Sequence, residues 1–240
     1  MTDPSALRSK GFKALLATQF LGAFNDNAFK LVIQLLAINV IISQSQGDAD
    51  AMYVAAAMAF FTLPFILFST YAGFLADRFS KKDIMVWVKV AEIGIMLVGG
   101  FVLGLRNVPL MIFMLFLMGA QSAFFSPAKY GILPEILPDE KLSRGNGQIQ
   151  LWTFLAIIAG TAVGGQLTHF LGDKLVWAGV FFVLIAVAGT GMSFGIPGVP
   201  AAGSKKKFEP VFFRDAYRTL REVLPNRPLF LCILGSAYFW

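Results

Sequence analysis

The 240-residue chain is 57% hydrophobic and only 14% charged, with a mean hydropathy of +0.69, whereas a soluble domain carries roughly a quarter charged residues. A water-soluble core of this size could not hide that much apolar surface, and the single Cys232 and single His169 exclude a disulfide framework and a Cys/His-rich zinc site. The net charge of +6 leaves nucleic acid open as a partner until the basic residues are located.

At ~1.5 Å rise per residue, crossing a ~30 Å hydrocarbon core takes about 20 mostly apolar residues. That rule gives six spans, at roughly 13–43, 51–76, 84–105, 108–128, 147–171 and 175–196. The first is too long for a cleavable signal peptide and more spans follow it. A seventh apolar run, from Pro228 to Trp240, is too short to cross, so the chain reads as cut inside a further helix. The predicted architecture is an all-α membrane protein. A six-helix bundle occupies 1–196, a loop 197–227, and the start of helix seven 228–240.

The first span holds Asn25, Asp26 and Asn27, then Lys30, in the stretch FNDNAFK. Counted from Leu15, Asp26 lies about 17 Å along a helix, close to the bilayer midplane. A central Asp or Lys costs about 2.5–3.5 kcal/mol to insert, so such residues face a cavity or a partner. Asp26 and Lys30 are spaced to pair on one face, but three adjacent polar residues exceed what one ion pair needs. The first span therefore predicts a polar transport cavity around Asp26, with Gln34 and Asn39 as a sparse continuation. In the third span, Lys89 and Glu92 stand three apart: Lys89 is placed to snorkel to the interface, and Glu92 reads equally as strut or cavity residue. Gly100 with Gly104, and Gly160 with Gly164, have the spacing that lets helices approach closely.

The basic residues fall on alternate connections. Of the 20 lysines and arginines, all but Arg106, Lys174 and the intramembrane Lys30 lie at the amino end, around the second and fourth connections, or after the sixth span. The positive-inside rule puts those connections and the N-terminus in the cytoplasm, so topology accounts for the +6 and no nucleic-acid partner is expected. After a Gly/Pro linker and three lysines, residues 213–224 repeat apolar residues at helical spacing among arginines, as in an amphipathic helix lying on an anionic leaflet. No phosphate loop, nucleophile elbow or metal cluster appears. The His169–Asp173 spacing is one residue short of an acyltransferase motif, so no enzyme activity and no cofactor are expected of this segment.

The connection Gly73-Phe-Leu-Ala-Asp77-Arg78-Phe-Ser-Lys81-Lys82 resembles the loop signature of the major facilitator superfamily, with Ser80 where glycine is common. The resemblance implies a 6 + 6 helix plan and a cytoplasmic charge relay at Gly73, Asp77, Arg78, Lys81 and Lys82 that latches the outward-facing state. More narrowly, FNDNAFK and the segment Ser126-Pro-Ala-Lys129-Tyr-Gly-Ile-Leu-Pro-Glu135 resemble the bacterial lysophospholipid transporter family. Asn146-Gly147, opening the fifth span, also resembles that family. The resemblance carries Asp26 and Lys129 over as transport residues, beside the candidates Asn25, Asn27, Lys30 and Glu92. It implies a lysophospholipid substrate, membrane-lipid partners, a C-terminal half outside this chain, and a multi-pass place in the bacterial inner membrane. Pro127 is predicted to break the fourth helix. Two alternatives stand beside this one: a carrier of drugs or small polar solutes, and the membrane anchor of a fused acyltransferase.

Overall fold

The computed structural model describes residues 6–44, 49–201, 221 and 223–239. The chain divides into two compact units, Met1–Ser204 and Lys205–Trp240. The first is built of α1 (Lys10–Gln44), α2 (Ala49–Arg78), α3 (Lys81–Leu105), α4 (Val108–Gly131), the single turn α5 (Leu133–Ile136), α6 (Asp139–Leu171) and α7 (Val176–Ser193), with 3-10 turns at Ala6–Arg8 and Gly172–Lys174. The second contains α8 (Arg227–Phe239), 13 residues long. Among the described residues there is no strand, as expected where every backbone N–H and C=O must be satisfied within its own segment. The amphipathic helix read over 213–224 lies almost wholly outside the described residues.

The six long helices of the first unit coincide with the six spans read from hydropathy. The largest departure is the start of α6, at Asp139 rather than near 147. Its first turn carries Asp139 and Glu140, which suit a helix N-terminus electrostatically but are invisible to an apolar-window rule. The α4 helix also continues through Pro127 to Gly131, so the predicted break there is wrong. A proline forfeits one backbone hydrogen bond, and neighbouring helices in a bundle make that tolerable. Ser80 caps α3, its hydroxyl accepting from the Asp83 N–H at 3.5 Å, which gives the serine in the loop signature a structural use.

Among the described residues, five helices are long and apolar enough to cross a membrane: α3, α4 extended to Ile136, α6, α7 and α2 from Ala59. The 35-residue α1 carries Asn25, Asp26, Asn27 and Lys30 in its middle. Packing accommodates these polar residues. The α1 helix lies against α6 and α7 over long stretches and touches α2, α3 and α4 as well, so its sides meet protein.

The tightest crossings use small residues. Gly164 on α6 faces the Ala28 carbonyl on α1 so closely that a β-carbon there would sit 2.6 Å from the oxygen. Gly100 on α3 meets Gly179 on α7, where a β-carbon would lie 2.8 Å from the opposing Cα. Some aromatic residues pack helices together: Phe29 meets Phe182 edge to face at 5.2 Å, and Phe68 stacks on Phe124 at 5.7 Å.

Two apolar clusters fill the unit. One gathers Phe12, Leu15, Met85, Phe125, Ile132, Ile149 and Ile196 at the end carrying Lys81 and Asp139. The other gathers Phe29, Ile33, Met96, Leu115, Leu175 and Phe182 toward the opposite end. On each of α1, α3, α4 and α7 the residues between the two clusters include buried polar groups: Gln19 and Asn25, Lys89 and Glu92, Gln121, Thr190 and Ser193. A polar layer thus crosses the bundle partway along its helices.

Candidate functional site

The polar layer is a connected network from three helices. Lys89, 2% exposed, pairs with Glu92, 1% exposed, one turn along α3 at 2.5 Å. Glu92 is buried between two amide donors, Asn25 Nδ2 from α1 at 3.0 Å and Gln121 Nε2 from α4 at 3.1 Å. Next to Gln121, Ser122 Oγ lies 2.7 Å from Asp26 Oδ2. A buried ion pair is sustained only where its remaining lone pairs and protons are met, and both carboxylate oxygens of Glu92 are met here. Room for Lys89 comes from two glycines. Its ammonium lies directly against Gly22 of α1 and near Gly189 of α7, with the Phe125 ring 5.4 Å away.

A cavity of about 160 Å³ opens on one side of this network. It is lined by Asp26, Lys89 and Lys129 among charged groups, by Gln19, Gln121, Ser122 and Ser126, and by Phe65 and Phe125. Asp26 Oδ1 and Asn25 Oδ1 are buried without a hydrogen-bond partner. The cavity thus presents one carboxylate and two ammonium groups in a lining that also includes phenyl rings. Its volume is below the ~300–1,000 Å³ of pockets that enclose a drug-sized ligand, but is of a size to take a small charged group.

The residues expected here from sequence separate into two sets. Asp26 and Lys129, more than 100 positions apart, line the same cavity. Asn25 and Glu92 lie behind it in the network. Lys30 and Asn27 do not line it: Lys30 Nζ donates to Asn27 Oδ1 at 3.1 Å and stands 4.9 Å over the Phe61 ring, while Asn27 Nδ2 donates to the Ala23 carbonyl. Asp26 meets Ser122, not the Lys30 with which its spacing would also have allowed a pair. Lys89 does not snorkel outward, because Glu92 and the two flanking glycines hold its ammonium inside. Gln121 and Ser122 were not singled out from sequence. Their signal was two adjacent polar residues in the apolar run of α4, weak because Gln and Ser carry no charge.

At the Lys81 end, the loop signature has a partner of its own. Lys81, buried at the start of α3, forms an ion pair of 2.5 Å with Glu135 of α5. The Lys129 segment is thereby tied to the signature loop. Asp77 and Arg78 are exposed, with Arg78 5.8 Å over the Phe74 ring. Gly73 has open space where a β-carbon would be.

Residues 15–240 match the profile of the Major Facilitator Superfamily, nearly the whole chain. The chain belongs to the major facilitator superfamily. As a facilitator chain it also resembles curated proteins named lysophospholipid transporter. One from Klebsiella pneumoniae is 33% identical over 100% of this chain and 56% of its own length. One from Photorhabdus laumondii is 30% identical, covering 98% and 55%, and one from Escherichia coli is 29% identical, covering 98% and 56%. The chain spans about half the length of these relatives. Among solved structures, a POT peptide transporter bound to sulfate aligns with a TM-score of 0.59 at 15% identity, over 96% of this chain and 47% of the other. A second POT family transporter, bound to a thioalcohol-conjugated peptide, aligns at 0.60 and 14%. At such identities these structures support the facilitator fold and nothing finer.

Proposed function

We propose that this facilitator chain is the N-terminal half of a carrier that moves lysophospholipids across the bacterial inner membrane by alternating access. The observation that carries the reading is the meeting of Asp26 and Lys129 in one cavity, with Lys89 beside them. A lysophospholipid head group joins a phosphate to, in many cases, an ammonium. Asp26 Oδ1 is an unpaired acceptor for the ammonium and Lys129 a donor for the phosphate, both by charge-assisted hydrogen bonds. Lys30 lies away from the cavity and has no part in head-group binding in this reading. The small volume accommodates a head group and leaves the acyl chain outside, toward the lipid.

In this reading residues 1–196 form the first six-helix bundle, 197–227 a central loop and 228–240 the start of a seventh helix. The remaining site residues belong to a C-terminal half, because facilitator halves rock about a midplane site between them. The N-terminus and the Lys81 end face the cytoplasm, and the Lys81–Glu135 pair belongs to the latch around Asp77. The chain itself performs no covalent chemistry.

The test is flipping of labelled lysophosphatidylethanolamine by the full-length protein in proteoliposomes, compared with Asp26→Ala and Lys129→Ala. Loss of at least ~90% of the transport is expected for each, with wild-type yield and elution. Unchanged transport in either variant removes that residue from the site. Inhibition by soluble solutes but not by lysolipid would favour a polar-solute carrier. Restored lysolipid acylation in cells lacking both residues would favour a membrane anchor.

A further inference from the structure

The contacts of Ser122 do not balance in hydrogens. Its Oγ lies 2.7 Å from Asp26 Oδ2 and 3.2 Å from Gln121 Oε1. The Gln121 amide is oriented by Glu92: a carboxylate only accepts, so Nε2 must face Glu92 Oε2 and Oε1 must face Ser122. A serine hydroxyl has one hydrogen for these two acceptors. With Asp26 ionised the hydrogen goes to Oδ2, the nearer and charged acceptor, which makes the stronger bond. The Gln121 contact is then unfilled.

From this arrangement we propose that Ser122 is the positioning residue of the transport carboxylate. Its hydroxyl holds Oδ2 of Asp26, so that Oδ1, buried and unpartnered, is the oxygen presented for a ligand's donor. Gln121 in turn connects Ser122 to Glu92 and Lys89, so the orientation of Asp26 is set by a chain of contacts running across α1, α3 and α4. Without the hydroxyl, the Asp26 side chain loses that anchor and can rotate about its Cα–Cβ and Cβ–Cγ bonds. The ligand must then order it on binding. That cost falls on affinity, while the rocking of the two halves is expected to be unchanged. The function of this anchor rests on the head-group reading above, but the anchoring of Asp26 is independent of substrate.

Two measurements on the full-length protein separate these dependencies. One is the concentration dependence of lysophosphatidylethanolamine flipping in proteoliposomes. The other needs no substrate: the rate at which a hydrophobic carbodiimide modifies the Asp26 carboxyl, read by peptide mass spectrometry. For Ser122→Ala the KM is expected to rise about tenfold with the maximal rate within twofold, and carbodiimide modification to quicken several-fold as Oδ2 is released. Ser122→Thr, which keeps the hydroxyl, restores both. Ser122→Cys, a weak donor of similar size, moves both in the same direction by less and serves if the alanine variant does not fold. Unchanged KM and unchanged modification overturn the assignment. So does a fall in maximal rate alone, which a purely structural serine would give, or a well-folded threonine variant that fails to restore. If the wild type flips no lysolipid, the head-group reading falls, and the modification rates still decide whether Ser122 anchors Asp26.

Discussion

At the scale of single residues, the decisive arrangement is a lysine and a glutamate that are both almost fully inside the bundle. Removing one member of a buried pair leaves an uncompensated charge and costs about 3–5 kcal/mol, whereas replacing both by apolar groups costs far less. Lys89→Met alone is therefore expected to lower the thermal transition of the detergent-solubilised full-length protein strongly. Lys89→Met with Glu92→Leu should recover part of the loss. Recovery is only partial because Asn25 and Gln121 would each lose an acceptor. A double variant no more stable than the single one would mean that the pair's charge is not what holds these helices. Gly22 is linked to the same lysine. A methyl group there would occupy the place of the Lys89 ammonium, which Glu92 prevents from swinging away, so Gly22→Ala should destabilise in the wild type and much less in the Lys89→Met background.

At the scale of helices, close approach and end-to-end ties matter more than hydropathy. The α1–α6 crossing depends on Gly164, whose neighbours are backbone atoms of Ala28. Backbone cannot be moved as a side-chain tip can, so Gly164→Leu is expected to cost upwards of about 1–3 kcal/mol, seen as a lower melting temperature and weaker α1–α6 cysteine cross-linking. The tie between the signature loop and α5 is different in kind. Lys81 is buried, but the Glu135 side chain is 28% exposed, so solvent screens the pair and its contribution to stability is at most about 1 kcal/mol. Its expected effect is on transport: Lys81→Glu lowers the flipping rate, and the swapped pair Lys81→Glu with Glu135→Lys regains it. Equal activity of all three proteins would show that this pair is not part of the latch.

At the scale of the whole molecule, the two apolar clusters and the polar layer between them define two ends, which the topology proposed from the charge distribution puts on opposite sides of the membrane. The ends of α6 offer a direct check, since Asp139 and Lys174 are exposed at opposite ends of one helical stretch. With Cys232 replaced by serine, Lys174→Cys should react with a membrane-impermeant maleimide in intact spheroplasts. Asp139→Cys should react only after lysis. The reverse pattern would invert the proposed topology.

Sequence alone determined the membrane class, the six long helices and their limits to within a few residues at most ends, because a run of apolar residues is a local property that a ~30 Å hydrocarbon layer reads directly. It also singled out Asp26, since a charge inside such a run is costly enough to stand out. Lys129, just past the fourth run, was pointed to only by the resemblance of its segment to a known family. The start of α6 and the passage of α4 through Pro127 were misread: helix continuity there depends on charged-turn electrostatics and on neighbouring helices. Only the tertiary structure decided the partners. Whether Asp26 pairs with Lys30 on its own helix or with Ser122 across the bundle, and whether Lys89 points outward or into a slot between Gly22 and Gly189, are questions of which faces meet. Hydropathy cannot rank those alternatives, because each satisfies the same polar groups. The crossing geometry of α1, α3, α4 and α7 chose among them.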